Sequence, residues 1–299
     1  MKHFAVVMCV LLLASQTADA WNFAGHRAIA FLTYSILTPK ARQRVDQLVK
    51  AHPDYQTLLA RTNSTRPSDI ARDAFVTAAT WPDMIRNDPR FSDNGSLPAP
   101  TGFTDSHRHA EWHFINTPWP SEFSKQPVGE VNAVSQIKTL SGQLSQDARG
   151  AYALSWLVHL VSDLHNPLHV MTRYERREGK PEHDRGGNSC YVEPGRTLHG
   201  FWDSLLGRDA SDSGIARLAA SLADENPATG QVDTKPENWV KETLPLIGTH
   251  VYSFGRCADK AAPVKLTRTY TAKAEQLARN RAALAAYRLA QILNDKLGK

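Results

Sequence analysis

The chain contains 299 residues, of which 41% are hydrophobic and 22% are charged, and its formal net charge is +5. A chain of this length buries roughly three quarters of its surface, which excludes a fold that depends on disulfides in place of a core. The small positive charge suits a polyanionic partner but does not identify one. Beyond the first residues, no apolar run approaches the roughly 18 residues of a membrane helix.

Residues 1–20 have the pattern of a secretory signal peptide. A basic start precedes an apolar run from Phe4 to Ala14, and Ala18-Asp19-Ala20 has the small-x-small pattern of a cleavage site. A buried first helix is the alternative, but the three parts occur in the order that a signal requires. We therefore expect cleavage before Trp21, which would leave residues 21–299 as a secreted or periplasmic chain without a stable membrane anchor.

Cleavage at this position would also remove one of the three cysteines, Cys9. The remaining two, Cys190 and Cys257, would enter an oxidising compartment, where a single disulfide between them is the economical interpretation. Free buried thiols are the alternative.

Apolar residues at three- and four-residue spacing predict helices along most of the chain. The expected helices lie at 28–37, 38–51, 68–79, 129–146, 149–165, 198–206, 211–223, 236–255 and 270–297. Two long loops, 87–104 and 171–197, separate some of them, and residues 111–116 form a strand or an extended segment. Because no β-α-β alternation and no repeat are visible, we predict a mainly α, compact multi-helix single domain with its polar chemistry on long loops.

The segment from Trp156 to Val170 places imidazoles and a carboxylate in an otherwise apolar helix. His159 and Asp163 are four residues apart, so they lie one turn from each other and can bind the same ion. His169 follows six residues later, roughly 240° around an ideal helix, so it cannot join them on a straight helix. Pro167 predicts a break that would direct His169 towards a second ion near the first.

His199 and Asp203 repeat the spacing of an imidazole and a carboxylate on a second predicted helix. One such pair is more often an ion pair on a helix surface, but two pairs with His169 between them favour metal binding. Nitrogen and carboxylate ligands without a thiolate suit a catalytic zinc or another borderline divalent ion.

Six motifs in register extend this pattern over most of the chain after residue 20. They are Trp21-x3-Gly-His26, Trp81-Pro-Asp83-x-Ile-Arg86, Trp112-His113-Phe114-Ile-Asn116, His159-x3-Asp163-x5-His169, Asp184-x-Gly-Gly-Asn188 and Leu198-His199-x2-Trp-Asp203. Together they resemble the zinc-dependent S1/P1 nuclease family, and the resemblance implies one nuclease domain at 21–299 with a fold like that of zinc-dependent phospholipase C and P1 nuclease.

The resemblance also implies three zinc ions per chain. The first would be bound by Asp83, His113, His159 and Asp163; the second by His26 and the amino nitrogen and carbonyl oxygen of Trp21, with Asp163 bridging; the third by His169, His199 and Asp203. A metal-activated hydroxide would attack phosphorus in line. The implied substrates are single-stranded DNA and RNA, cleaved to 5′-phosphorylated products, and 3′-nucleotides; whether duplexes are also cut stays open.

Other residues of the motifs have proposed roles with ordinary alternatives. Asp83 would orient the nucleophilic water, and Arg86 would contact phosphate, unless it forms a surface ion pair with Asp88. Phe114 would stack on a base or pack in the core.

Asp184 and Asn188 would hold a base edge or orient metal ligands, while an ordinary tight turn explains their glycine neighbours equally well. Asp184 is preferred for the ligand-orienting role. The histidines outside the motifs are expected to be surface or satisfied core residues; they are His52, His107, His109, His165, His183 and His250.

Two other functions remain to be distinguished. A zinc-dependent phospholipase C shares the N-terminal Trp ligand, but its first Trp-to-His spacing is longer and its last ligand resembles Glu instead of Asp203. A non-catalytic exported metal-binding protein would need closed coordination. We expect a monomer in each case.

Overall fold

The computed structural model describes residues 21–62, 64–145, 147–193, 195–225 and 232–299. The predicted signal peptide therefore lies outside the described residues. Within these ranges the chain folds into one mainly α-helical domain with a few short strands. The predicted fold class is confirmed.

The α-helices of the described residues account for most of the core. They are α1 (Phe23–Ser35), α2 (Pro39–Lys50), α3 (Tyr55–Leu59), α4 (Pro67–Ala78), α5 (Trp81–Met84), α6 (Ala133–Ser141), α7 (Ala148–Asp163), α8 (Leu198–Asp203), α9 (Asp212–Glu225), α10 (Pro236–Leu246) and α11 (Arg268–Leu297). Single turns connect some of them: 3-10 helices at Ile85–Asn87, Ala110–His113, Ser121–Phe123 and Pro167–His169, and a π-helical turn at Ile247–Val251.

Capping residues in the sequence set where several helices begin. The side chain of Asp147 accepts from the backbone N–H of Gly150 at the start of α7, and Thr267 does the same for Tyr270 at the start of α11. Each cap satisfies one of the backbone donors that have no partner inside the helix. The two longest helices therefore have fixed starting points.

Helix α7 lies at the centre of the core. Every residue from Gly150 to Asp163 is buried, and α1, α2, α5, α6 and α11 pack around it. Polar side chains on a helix without solvent contact must find partners in the interior. His159 and Asp163 are therefore placed where only protein groups or a bound ion can satisfy them.

Two small sheets take most of their strands from residues 171–197, which we expected to be a loop. Strands β1 (Thr117–Trp119), β2 (Met171–Arg177) and β3 (Lys180–His183) form one sheet, in which β2 pairs parallel to β1 and antiparallel to β3. Strands β4 (Tyr191–Glu193) and β5 (Arg196–Thr197) form an antiparallel pair. The loop prediction for 171–197 was wrong because β3 is exposed along its length and lacks the apolar alternation that identifies a half-buried strand.

Two further boundaries differ from the sequence prediction. The segment 111–116 is not a strand: Ala110–His113 forms a 3-10 helix, and the strand follows it at β1. Helix α6 is shorter than the predicted 129–146, because Asn132 and Ser135 form a capping box that starts the helix there. Among the described helices, none combines the length and apolar character that a membrane span requires.

The burial of His52 makes a prediction about stability at acidic pH. Burial lowers the pKa of His52 to about 4, whereas its pKa in the unfolded chain is near 6.5. The unfolded chain therefore binds the extra proton first, so stability is lost as the pH falls from about 6.5 to 4, by about 3 kcal/mol from this residue.

His52→Asn keeps an acceptor for the backbone N–H of Asp54, which His52 Nδ1 now accepts at 3.1 Å, but removes the titration. The free energy of unfolding, measured with urea between pH 7 and pH 4, should decrease less in the variant than in the native chain. Parallel curves for the two proteins would contradict this account of His52.

Candidate metal centre

The carboxyl end of α7 supplies the first two candidate ligands. His159 Nε2 lies 3.2 Å from Asp163 Oδ2, and both side chains are fully buried. His159 Nδ1 donates to the carbonyl of Ala79 at 2.8 Å, which leaves the Nε2 lone pair directed towards Asp163. The one-turn spacing seen in the sequence thus brings an imidazole and a carboxylate together.

Two other segments bring ligands to the same end of α7. His113, from the 3-10 helix, places Nδ1 3.0 Å from Asp163 Oδ2 and 3.0 Å from His159 Nε2. Asp83, from α5, places Oδ1 3.7 Å from His159 Nε2. Arg86 Nη2 lies 2.9 Å from Asp83 Oδ1, so one cation borders this group on the side that is partly open to solvent.

Helix α1 contributes His26 to the other oxygen of Asp163. His26 Nε2 lies 3.4 Å from Asp163 Oδ1 and 3.9 Å from Asp83 Oδ2, and its ring stacks on His159 with 4.2 Å between the centroids. Asp163 therefore lies between imidazoles on two sides: Oδ1 faces His26, and Oδ2 faces His113 and His159.

Trp21 is fully buried beside these helices. Its indole Nε1 donates to the carbonyl of Ser162 at 3.1 Å, and the backbone N–H of Asn22 donates to the carbonyl of Asp203 at 3.0 Å. These bonds hold residue 21 between α7 and α8, next to the helix ends that carry Asp163 and Asp203.

The third predicted group forms beyond the end of α7. The helix ends at Asp163, and Pro167 begins a 3-10 helix, so the predicted break is confirmed. His169 Nε2 lies 3.1 Å from His199 Nε2, and His199 Nε2 lies 3.7 Å from Asp203 Oδ2. The break therefore directs His169 away from His159 and towards α8.

Hydrogen bonds fix the orientation of both rings in this group. His169 Nδ1 donates to the carbonyl of His113 at 2.6 Å, and His199 Nδ1 donates to the carbonyl of Gly186 at 2.6 Å. Asn166 Nδ2 donates to Asp203 Oδ1 at 3.0 Å. Both Nε2 atoms are thereby directed to the space that they share with Asp203, as is usual around metal-binding histidines.

The electrostatics of the buried groups require compensation. Burial lowers the pKa of His26, His113 and His169 well below the usual range and that of His199 to about 4, so these rings are neutral. Asp163 and Asp83 outweigh burial at His159 and raise its pKa.

Several of the ligand atoms have no hydrogen-bond partner, among them both ring nitrogens of His26 and Asp163 Oδ1. Buried acceptors that face one another are costly unless a cation lies between them. In each of three groups the ligand atoms lie within 4.8 Å of one another: His26, Asp83 and His159; His113, His159 and Asp163; and His169, His199 and Asp203. The donor set fits divalent ions.

The side chains of a fourth group also bring their ligand atoms within 4.8 Å of one another, but their geometry differs; they are His107, His109 and Glu111. The two rings stack with 4.6 Å between centroids, and His107 Nδ1 accepts from the backbone N–H of His109 at 2.8 Å. His109 Nε2 lies 3.2 Å from Asp105 Oδ1, so both histidines already have protein partners, and this group stays a partly buried surface cluster.

The model of the S1/P1 nuclease family matches residues 21–298 of the chain. This chain belongs to the S1/P1 nuclease family. Nuclease S1 of Aspergillus oryzae is 22% identical to it over 250 residues, which cover 80% of this chain and 74% of that protein. Membership of this family places the chain among the nucleases, enzymes that hydrolyse nucleic acids.

The remaining motif residues of this S1/P1 nuclease lie near the three ligand groups. Phe114 follows His113 in an extended conformation and is partly exposed, so its ring is available beside the ligands. Asn188 is also partly exposed, and its Nδ2 donates to the carbonyl of Arg185 at 3.0 Å. Asp184 is buried, and both of its oxygens accept from protein groups. This geometry favours the ligand-orienting alternative for Asp184.

The Cys190–Cys257 disulfide is present, as predicted. Sequence reasoning missed the groups that orient the ligands, since backbone carbonyls such as those of Ala79 and Gly186 carry no signature. The pair Gly186-Gly187 did carry a sequence signature of this orientation. Gly186 has φ +61°, and a Cβ there would lie 2.8 Å from the carbonyl oxygen of Leu168. Only glycine therefore permits this close approach.

Removal of divalent ions should destabilise this S1/P1 nuclease because the buried ligands then lose their counter-charge. An ion present at a hundred times its dissociation constant contributes about 3 kcal/mol, which corresponds to a melting shift of roughly 5–10 °C for a chain of this size. We expect chelator to lower the melting temperature by this amount and added Zn²⁺ to restore it.

Asp163→Asn should reduce the difference in melting temperature between the chelated and the Zn²⁺-loaded protein. Asp295 is an exposed residue of α11, and Asp295→Asn should leave this difference unchanged. A melting temperature that is indifferent to chelator and to Zn²⁺ would show that the three groups do not bind ions.

Proposed function

We propose that this S1/P1 nuclease is a secreted zinc-dependent endonuclease that cleaves single-stranded DNA and RNA to 5′-phosphorylated products and also dephosphorylates 3′-nucleotides. The observation that carries the proposal is the position of Asp163 between two adjacent ligand groups. Its Oδ2 lies 3.8 Å from His169 Nδ1, so the third group borders the first. Adjacent ions suit a phosphodiester, whose attacking and leaving oxygens both need stabilisation.

Three zinc ions per chain are the proposed complement. Asp83, His113, His159 and Asp163 would hold the first; Trp21, His26 and Asp163 the second; His169, His199 and Asp203 the third. Zinc accepts imidazole and carboxylate ligands without thiolate in catalytic sites. Bound zinc would supply an activated water and charge neutralisation at the phosphate oxygens.

The chain's own side chains have separate tasks in this proposal. Asp83 Oδ1 forms an ion pair with Arg86 Nη2, which fixes the carboxylate so that it can orient the water that attacks phosphorus. The Arg86 guanidinium is mostly covered, with its side chain 16% exposed. It reaches the ligand group from the solvent side, where it would donate to the non-bridging oxygens of the bound phosphate.

Residues around the ligands would contact the bases of the substrate or orient the ligands. Phe114 would stack on a base, which is a contact that tolerates any sequence. Asn188 would donate to a base edge from the glycine-rich turn. Asp184 would act through His199, because its carboxylate is bonded to the protein on both sides.

A substrate panel tests this proposal directly. Protein that begins at Trp21 and is loaded with Zn²⁺ should release acid-soluble 5′-phosphorylated nucleotides from single-stranded DNA and RNA and phosphate from 3′-AMP. Chelator should abolish all three activities. Asp163→Asn should lower kcat/KM by about a hundredfold or more, the scale expected when one transition-state charge interaction is lost, and Asp295→Asn should not.

The same panel includes duplex DNA and a short-chain phosphatidylcholine. Cleavage of the lipid in place of the nucleic acids would identify a phospholipase C. No hydrolysis of any substrate by the metal-loaded protein would identify a non-catalytic metal-binding protein. Either result would overturn the proposal.

The proposed role of Trp21 makes a separate prediction about processing. An α-amino group has a pKa near 7.7–8.0 and binds a metal only when it is deprotonated and free. Retaining Ala20 converts that amine into a peptide nitrogen, so kcat/KM should fall by about tenfold or more while circular dichroism stays helical.

A protein extended by one residue after Lys299 is the matched control and should keep its activity. Equal activity of the protein that starts at Ala20 and the protein that starts at Trp21 would remove the terminal amine from the site.

A further inference from the structure

We propose that Tyr252 and Tyr270 are positioning residues for the third ligand group, although neither phenol belongs to it. The two side chains lie far along the chain from His169, His199 and Asp203 and are connected to them through intermediate residues. The inference rests on the proposed binding of an ion by this group.

Tyr252 acts on the turn that orients His199. Its hydroxyl donates to Asp184 Oδ2, and Asp184 Oδ1 accepts from the backbone N–H of Arg173 at 3.0 Å. The carboxylate thus links the phenol to the start of the β2–β3 hairpin, and Asp184 is the residue at which the glycine-rich turn leaves that hairpin.

The turn transmits this constraint to the ring of His199. The backbone N–H of Gly186 donates to Thr172 Oγ1 at 3.1 Å, and the Gly186 carbonyl accepts from His199 Nδ1 at 2.6 Å. That last bond selects the tautomer whose Nε2 lone pair faces His169. A displaced turn would therefore release the ring from the orientation in which its Nε2 faces His169.

Tyr270 acts on helix α8, which carries the other ligand. Trp202 lies on α8 directly before Asp203, and its indole Nε1 donates to the Tyr270 hydroxyl at 3.1 Å. The hydroxyl in turn donates to the carbonyl of Val251 at 2.7 Å. Because the fully buried indole is bonded at its far end, α8 cannot rotate about its axis without breaking this chain.

Both connections meet at one segment, residues 251–257. Val251 ends the π-helical turn Ile247–Val251, and Tyr252 follows it. The Cys190–Cys257 disulfide ties the far end of the segment to the strand after the glycine-rich turn. The segment contributes no ligand to the group, yet it is bonded to the supports of both His199 and Asp203.

The two phenols are placed to support ligands and not to meet substrate. Tyr252 is 4% exposed and Tyr270 is 7% exposed. Burial raises the pKa of both phenols, so each keeps the proton that it donates. Arg173 lies over the Tyr252 ring, 4.8 Å from its centroid, which further restricts its movement.

The test compares Tyr252→Phe and Tyr270→Phe with Tyr34→Phe. Tyr34 is a matched control, because its buried hydroxyl also donates to a carboxylate, Asp46 Oδ1 at 2.9 Å, at the opposite end of α1 from His26. Each protein is loaded with Zn²⁺, dialysed against graded concentrations of chelator, and analysed for zinc equivalents per chain.

We expect Tyr252→Phe and Tyr270→Phe to lose one equivalent at a chelator concentration about 10–100-fold lower than the native protein, the usual cost of removing a group that orients a metal ligand. Excess Zn²⁺ should restore their nuclease activity. Tyr34→Phe should release zinc as the native protein does. Release curves of all three variants that superimpose on the native curve would overturn the inference.

Two further outcomes are distinguishable. If Tyr252→Phe does not fold by circular dichroism, Asp184→Asn breaks the same connection and has the same expected release curve. If the native protein retains no zinc, the proposed function fails first, whereas zinc retention with unchanged variants leaves that function intact and rejects only the role of the phenols.

Discussion

The structure depends on one buried carboxylate, Asp163. It ends a helix that is covered on every side, and its two oxygens face His26 on one side and His113 with His159 on the other. A charge in such a place needs compensation, and the surrounding rings are held neutral by burial, except His159. The proposed divalent ion on each side of the carboxylate would supply the missing charge and would explain why these acceptors converge.

The break after α7 extends this arrangement to a third group. Had the helix continued, His169 would point away from Asp163; the turn at Pro167 instead places it beside α8. Its Nδ1 bond to the carbonyl of His113 joins the third group to the first. The other elements of this S1/P1 nuclease, including the small sheets and the disulfide, hold α8 and the glycine-rich turn against this junction.

Two ligand pairs and the redirection of His169 could be predicted from local spacing, because a period of four on a helix and the restriction imposed by Pro167 are properties of the chain itself. The other ligands were implied only by the resemblance to the family; they are Trp21, His26, Asp83 and His113. The Cys190–Cys257 pairing followed from elimination. Strand β3 could not be predicted, since its exposed residues carry no apolar alternation. The bonds to Ala79, Gly186 and Val251 could not be predicted either, because they use backbone carbonyls and join segments far apart in the sequence.

The central claim is that Asp163 lies between two ions and that a third ion lies beyond the break. A crystal structure of Zn²⁺-loaded protein that begins at Trp21, with anomalous data collected on both sides of the zinc absorption edge, tests it most directly. We expect three zinc peaks: two on opposite oxygens of Asp163, and one among His169, His199 and Asp203. A single peak, or peaks that do not contact Asp163, would contradict the account.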